Sequence, residues 1–155
     1  MTNIVRLRDV IKNDLPVFYE HQLDPVATHM AAFPAREWDA YVAHWNKILD
    51  DSTLFKQTIL YNEEVAGNIV SWVESGDQEV GYWVGREYWG KGIATSALAS
   101  FLGQLTIRPL FAHVAIHNIA SRRVLEKCGF TFLRHESNIV LGVAAEEYIM
   151  ILDGN

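Results

Sequence analysis

Across residues 79–101, EVGYWVGREYWGKGIATSALASF, the apolar pattern changes its period, and few folds accommodate the change. Val80, Tyr82 and Val84 alternate with Gly81 and Trp83, the period-two pattern of a strand rich in aromatic and β-branched residues. From Ile93 onward Ile93, Ala94, Ala97, Leu98, Phe101, Leu102 and Leu105 recur every three or four positions, which is one face of a helix. Between strand and helix lies a turn carrying Gly85, Gly90 and Gly92. Glycine leaves the backbone open to close approach, so the N–H groups of Trp89, Gly90, Lys91, Gly92, Ile93, Ala94 and Thr95 can converge on an anion. The unpaired amides and the dipole of the helix N-terminus both favour negative charge there, and Lys91 adds a cation. The stretch reads as a phosphate cradle.

Two familiar cradles do not fit. A dinucleotide fingerprint needs G-x-G-x-x-G/A, whereas Gly90-Lys91-Gly92-Ile93-Ala94-Thr95 ends on threonine, and no acidic residue follows at about twenty positions. Residues 85–91 match the G-x-x-x-x-G-K of a nucleotide P-loop, but Gly92 stands where a Ser or Thr must hold magnesium. The later strand over residues 110–116 offers no Asp for that metal either.

The 155 residues predict one domain, 1–155, able to bury about two thirds of its unfolded surface. A formal charge of −6 argues against nucleic-acid binding by phosphate neutralisation and favours attraction of a cationic amine. One cysteine, Cys128, excludes an intramolecular disulfide, and on the apolar face of a helix it reads as a structural thiol. No stretch approaches the roughly 20 apolar residues of a membrane span, and the start has no apolar run of signal length. The expectation is a cytoplasmic protein with no membrane and no metal, since His21 and His29 lack a ligand spacing.

In chain order, residues 4–8 alternate as a first strand, and Asn13 or Asp14 caps a helix with Pro16 in its first turn. Pro25 and Pro34 bracket a connecting segment. Trp38, Tyr41, Val42, Trp45, Ile48 and Leu49 then define an amphipathic helix whose aromatics read as core. Residues 53–61 and 65–73 form a hairpin about Asn62-Glu63-Glu64, followed by the strand that opens with Glu79. After the cradle helix come an apolar strand over 110–116 interrupted by His113, a helix capped by Asn118, and closing strands over 130–137 and 144–152. Glu146 and Glu147 read as solvated charges on an edge strand.

This order, together with GYWVGREYWGKGIATSAL at residues 81–98 and NIASRRVLEKCGF at residues 118–130, resembles the GNAT acetyltransferase superfamily, most of all its ribosomal-protein N-terminal acetyltransferases. Trp89-Gly90-Lys91-Gly92-Ile93-Ala94 follows that superfamily's Q/R-x-x-G-x-G/A in all but its first position, where Trp89 replaces Gln or Arg. The resemblance implies an α+β fold. Its six- to seven-stranded, mostly antiparallel sheet is splayed between the fourth and fifth strands and flanked by about four helices.

The resemblance further implies acetyl-coenzyme A as cosubstrate, with its pantetheine arm beside Trp83 and Val84 and its pyrophosphate on the Gly90 to Thr95 amides. Asn118 matches an asparagine that bonds the pantetheine, and Ser121 a serine near the thiol. The implied reaction is direct acetyl transfer to a primary amine, with Glu79 where related enzymes carry a general base. Many of them carry a tyrosine acid four residues after the position of Ser121; here that residue is Leu125, which leaves Ser121 as the candidate donor. A fold that binds acyl-coenzyme A without catalysis, as a sensor or partner module, is the alternative, and the closing strands are candidates for a homodimer contact.

Overall fold

Wherever the sequence alternates, the computed structural model, which describes residues 3–154, forms a strand. β1 (Val5–Asp9), β2 (Phe55–Tyr61), β3 (Glu64–Glu74) and β4 (Asp77–Val84) pair antiparallel in sequence order. β5 (Leu110–Ala115) follows, then β6 (Thr131–Val140) and β7 (Val143–Leu152). The two-residue connections Asn62-Glu63, Ser75-Gly76 and Leu141-Gly142 all hold positive φ, the backbone that matches a hairpin to the sheet's twist. The seven-stranded sheet has the order β1-β2-β3-β4-β5-β7-β6, and only β4 and β5 run parallel. This is the mixed α+β architecture expected, with the fourth and fifth strands as the exceptional pair.

Helices cover both faces. α4 (Ile93–Gln104) and α5 (Ile119–Lys127) lie on one, where Ile93, Ala97, Leu98, Phe101 and Leu125 pack on Ile69, Val80, Leu110, Ala112 and Met150. On the other, Leu15 and Phe18 of α1 (Leu15–Leu23) meet Tyr41, Trp45 and Ile48 of α3 (Trp38–Asp50). The aromatic stripe of α3 is therefore core at Tyr41 and Trp45, while Trp38 and Phe33 stay partly exposed.

Three expectations need correction. The segment between Pro25 and Pro34 contains a helix, α2 (Pro25–Ala31), which raises the number to five; Asp24 Oδ1 accepts the Val26 N–H at 2.9 Å, with Pro25 at the first helical position. β7 is no edge strand, because it lies between β5 and β6. Asp14 stands at the N-cap of α1, as expected, but its side chain makes no cap bond to that helix. Instead its buried carboxylate accepts from both terminal nitrogens of Arg8 at 2.7 and 2.8 Å, from Thr58 Oγ1 at 2.6 Å and from the Ile11 N–H at 3.0 Å.

That cluster ties β1, β2 and the start of α1 together. Burial pushes the Asp14 carboxyl up, but the bonds from Arg8, Thr58 and Ile11 outweigh it and hold it below its usual value. A depressed carboxyl contributes stability above its unfolded pKa of about 3.9 and loses it as pH falls through the folded value. Asp14→Ala strands Arg8 and is expected to cost about 3 kcal/mol in urea unfolding at pH 7. The difference from wild type should shrink below about pH 4.

Candidate active site

β4 and β5 are paired at only two positions, Gln78 with Leu110 and Glu79 with Phe111, and beyond them the strands part. β4 remains paired with β3 along its whole length. The Gly85 N–H reaches Ala66 O on the β3 side at 2.8 Å, so by alternation Tyr82 and Val84 turn their main-chain groups toward the gap. A cleft of about 450 Å³ opens there. Tyr82, Trp83 and Val84 form one wall, Asn118 and Ser121 another, Ala27, Met30 and Ala31 of α2 a third, and Trp89, Gly90 and Gly92 to Thr95 the end. Ten of the twelve residues singled out from the sequence line this one space; Lys91, exposed at the rim, and Glu79 do not.

Gly90 and Gly92 hold φ of +76° and +75°, a region costly for other residues, and a side chain added at either would meet no protein atom. The first helical bond of α4 runs from the Ser96 N–H to Gly92 O, and no side chain caps the helix. The N–H groups of Ile93, Ala94 and Thr95 have no acceptor among the described residues, and they face open space suited to an anion. Trp89 acts differently from the Gln or Arg it replaces: its indole N–H donates to Val84 O at 2.8 Å, closing the turn back on β4.

Across the gap, the Tyr82 hydroxyl and Ser121 Oγ stand 2.8 Å apart, and Tyr82 also donates to Ser121 O at 3.3 Å. Asn118 Oδ1 accepts the Ser121 N–H at 3.2 Å, which is the predicted cap and leaves its side-chain amide group to the cleft. Leu125 is buried in the core. Tyr82 is thus the only phenol in contact with Ser121 among the described residues, and burial raises it to about 12, so it stays protonated at neutral pH. Cys128 is half-buried with its Sγ 3.6 Å from Thr95 O, and burial raises its thiol, in keeping with a structural role.

Glu79 lies where β4 and β5 still pair. Its side chain is 8 % exposed, Oε1 bonds His113 Nε2 at 3.0 Å, and Oε2 is buried with no partner. His113 Nδ1 reaches Glu147 Oε1 at 3.2 Å, and Asn138 Nδ2 donates to the same oxygen at 2.8 Å. Glu147 is therefore buried rather than solvated, unlike the exposed Glu146. Hydrogen bonds first to Glu147 and then to Glu79 outweigh burial and raise His113 to about 10. Sequence reasoning missed both residues; the signal was a histidine inside an otherwise apolar strand. Among the described residues no group of three or more His, Cys, Asp or Glu is placed to hold a metal.

The family model for an acetyltransferase (GNAT) domain matches residues 5–131. Many solved structures share the fold, among them three at low identity. An acetyltransferase (GNAT family) from Bacillus anthracis is 17% identical with a TM-score of 0.80, covering 96% of this chain and 94% of that one. A spermidine N-acetyltransferase from Vibrio cholerae in complex with CoA and spermine is 18% identical at 0.81, covering 96% and 95%. A ribosomal alpha-N-protein acetyltransferase in complex with coenzyme A is 18% identical at 0.79, covering 96% and 93%. No curated protein sequence matches the chain.

The phenol bridging the gap gives a direct test. Tyr41 in the other core cluster is also raised to about 12 by burial, so spectrophotometric titration should show Tyr41 and Tyr82 ionising together, and Tyr82→Phe should remove one of that pair. Because the folded Tyr82 pKa exceeds its unfolded value of about 10, stability should fall as pH rises from there toward the folded value. Tyr82→Phe should remove that part of the decline and cost about 1 kcal/mol at pH 7.

Proposed function

The chain belongs to the GNAT acetyltransferases, and from that membership we propose that it transfers acetyl from acetyl-coenzyme A directly to a primary amine in a ternary complex. The observation that carries the proposal is the cleft where β4 and β5 part, ending on the unpaired amides of α4. In this reading the Gly90 to Thr95 amides hold the pyrophosphate, with Lys91 at the rim. The gap-facing main chain at Tyr82 and Val84 pairs with the pantetheine arm beside Trp83, and the Asn118 side-chain amide adds a further bond. The cosubstrate, when bound, supplies an acetyl group activated as a thioester.

The remaining steps fall to this chain's own residues. The unpartnered Oε2 of Glu79, which lies beyond the lining of the cleft, takes the proton that the acceptor nitrogen must lose, through an intervening water. Main-chain N–H groups freed past Glu79 offer donors to charge developing on the acyl oxygen. Ser121, held by Tyr82, donates to the departing sulfur, which needs modest help because thiols ionise near 8.5. No step uses a metal or a covalent cysteine.

We favour an α-amino acceptor, as on a ribosomal-protein or other peptide N-terminus, over a lysine side chain. An α-amino group of pKa about 7.7 to 8.0 is partly neutral at pH 7, whereas a lysine near 10.4 is almost wholly protonated. Small-molecule amines remain within the proposed class, and the net charge of −6 attracts any cationic acceptor. The proposal places the enzyme in the cytoplasm, where its lone Cys128 stays reduced.

Acetyl-coenzyme A at about 100 times its dissociation constant should add about 2.7 kcal/mol to stability, read as a rise in Tm without added magnesium. Gly92→Asp, which places a carboxylate in the cradle, should abolish the rise. No shift in the wild type, or a shift that survives Gly92→Asp, would contradict the cradle. Binding without acetyl transfer to any of a panel of N-terminal peptides, polyamines and aminoglycosides would instead favour the sensor reading.

A further inference from the structure

Glu79, His113, Glu147 and Asn138 come from four adjacent strands, β4, β5, β7 and β6, and join in one hydrogen-bonded row across one face of the sheet. The row crosses β4 and β5 at the last place where they pair, the closed end of the gap. His113 is separated by 34 residues from each carboxylate it bonds, so only the strand order unites them. Both ring nitrogens face carboxylate oxygens, which accept and cannot donate, so the imidazole satisfies both only as a doubly protonated cation.

The row ends in an asymmetry. Glu147 Oε1 has two partners, His113 and Asn138, and Glu79 Oε1 has His113, but Glu79 Oε2 is buried and has none. Even the Glu79 main chain is engaged, since its carbonyl accepts from Ser71 Oγ at 2.6 Å. An ion pair serving stability alone would satisfy both oxygens, because a buried acceptor without a donor is costly. Among the described residues no other cation lies within ion-pair distance of Glu79.

We infer that His113 is a positioning residue, held by Glu147 and Asn138, that clamps Glu79 Oε1 and leaves Oε2 as the single free oxygen for the acceptor amine's proton. The inference rests on the reading of Glu79 as the base. The clamp does two things. It fixes the carboxylate's rotation, so that the free oxygen keeps one direction, and it keeps a buried carboxylate beside a cation. The other groups facing His113 are Glu147 of β7 and, more distantly, Glu136 of β6, which Asn138 Nδ2 also reaches at 3.3 Å; both are acidic and both favour the imidazolium. His113 stays charged through neutral pH and up to about 10.

Two measurements test the clamp. In the NMR spectrum of the intact protein, the His113 ring, assigned by its loss in His113→Gln, should show both nitrogens protonated from pH 6 to about 9; a neutral ring titrating near 6.5 would overturn the inference. In acetyl-transfer assays, His113→Gln should lower kcat/KM at pH 7 at least about tenfold, with an unchanged KM for acetyl-coenzyme A. The acid limb of its pH profile should move to higher pH, so that activity recovers in alkali. Glu147→Gln, which keeps an acceptor for Nδ1 but removes a charge, should lower the pH at which the His113 ring loses a proton in the NMR spectrum; an unchanged ring titration would overturn the inference, and this variant decides the matter if His113→Gln fails to fold. The double variant Glu79→Gln, His113→Gln should be no slower than Glu79→Gln alone. Additive losses with an unmoved limb would make His113 structural. A wild-type rate and profile in Glu79→Gln would overturn the base itself, an outcome separate from the NMR result.

Discussion

Two residue pairs join β4 to β5, and the rest of the site follows from there being no third. A strand that stays fully paired on its β3 side but loses its partner on the other exposes a row of main-chain donors and acceptors inside the protein. Such groups must find partners, and a ligand that presents amides of its own can supply them. The same parting brings the N-terminus of α4 to the end of the gap, because α4 begins only a short turn after β4 ends. A strand edge for an amide-bearing chain thus leads into a cradle for an anion.

Two side-chain bridges, one where β4 and β5 are still paired and one across the gap beyond, divide the chemistry in the proposed reaction. At the closed end Glu79 meets His113, where two buried carboxylates flank an imidazole that reaches water. Further out Tyr82 meets Ser121, where two neutral hydroxyls face the cleft and burial keeps the phenol protonated. In the proposed reaction the first accepts a proton and the second donates one. Direct transfer between two bound substrates needs that separation of acid and base.

The sequence carried the local part of this arrangement. Alternation located the strands, the helical period located α3 and α4, and Gly90 and Gly92 marked the turn between β4 and α4, where both hold positive φ. Features set by strand order were hidden. Glu147 read as solvated because a final strand is commonly an edge, yet β7 inserts between β5 and β6 and carries Glu147 to His113. α2 was masked because Pro25 and Pro34 read as brackets of a connecting segment, although Asp24-Pro25 is itself a helix start. Asp14 does stand at the N-cap of α1, but the partners of its side chain, Arg8 on β1 and Thr58 on β2, depend on strand pairing that a local window does not show.

A second hollow of similar volume lies between β2, the end of α3 and α4, where Gln57 and Gln104 exchange side-chain hydrogen bonds, and it offers an internal control. The most direct test of the account is an amide NMR titration with acetyl-coenzyme A. The N–H signals of Gly90 to Thr95, Tyr82 and Val84 should move together and saturate at one ligand equivalent, while those around Gln57 and Gln104 stay fixed. Signals that move only at the second hollow, or nowhere, would contradict the claim that the parting of β4 and β5 is the site of acetyl transfer.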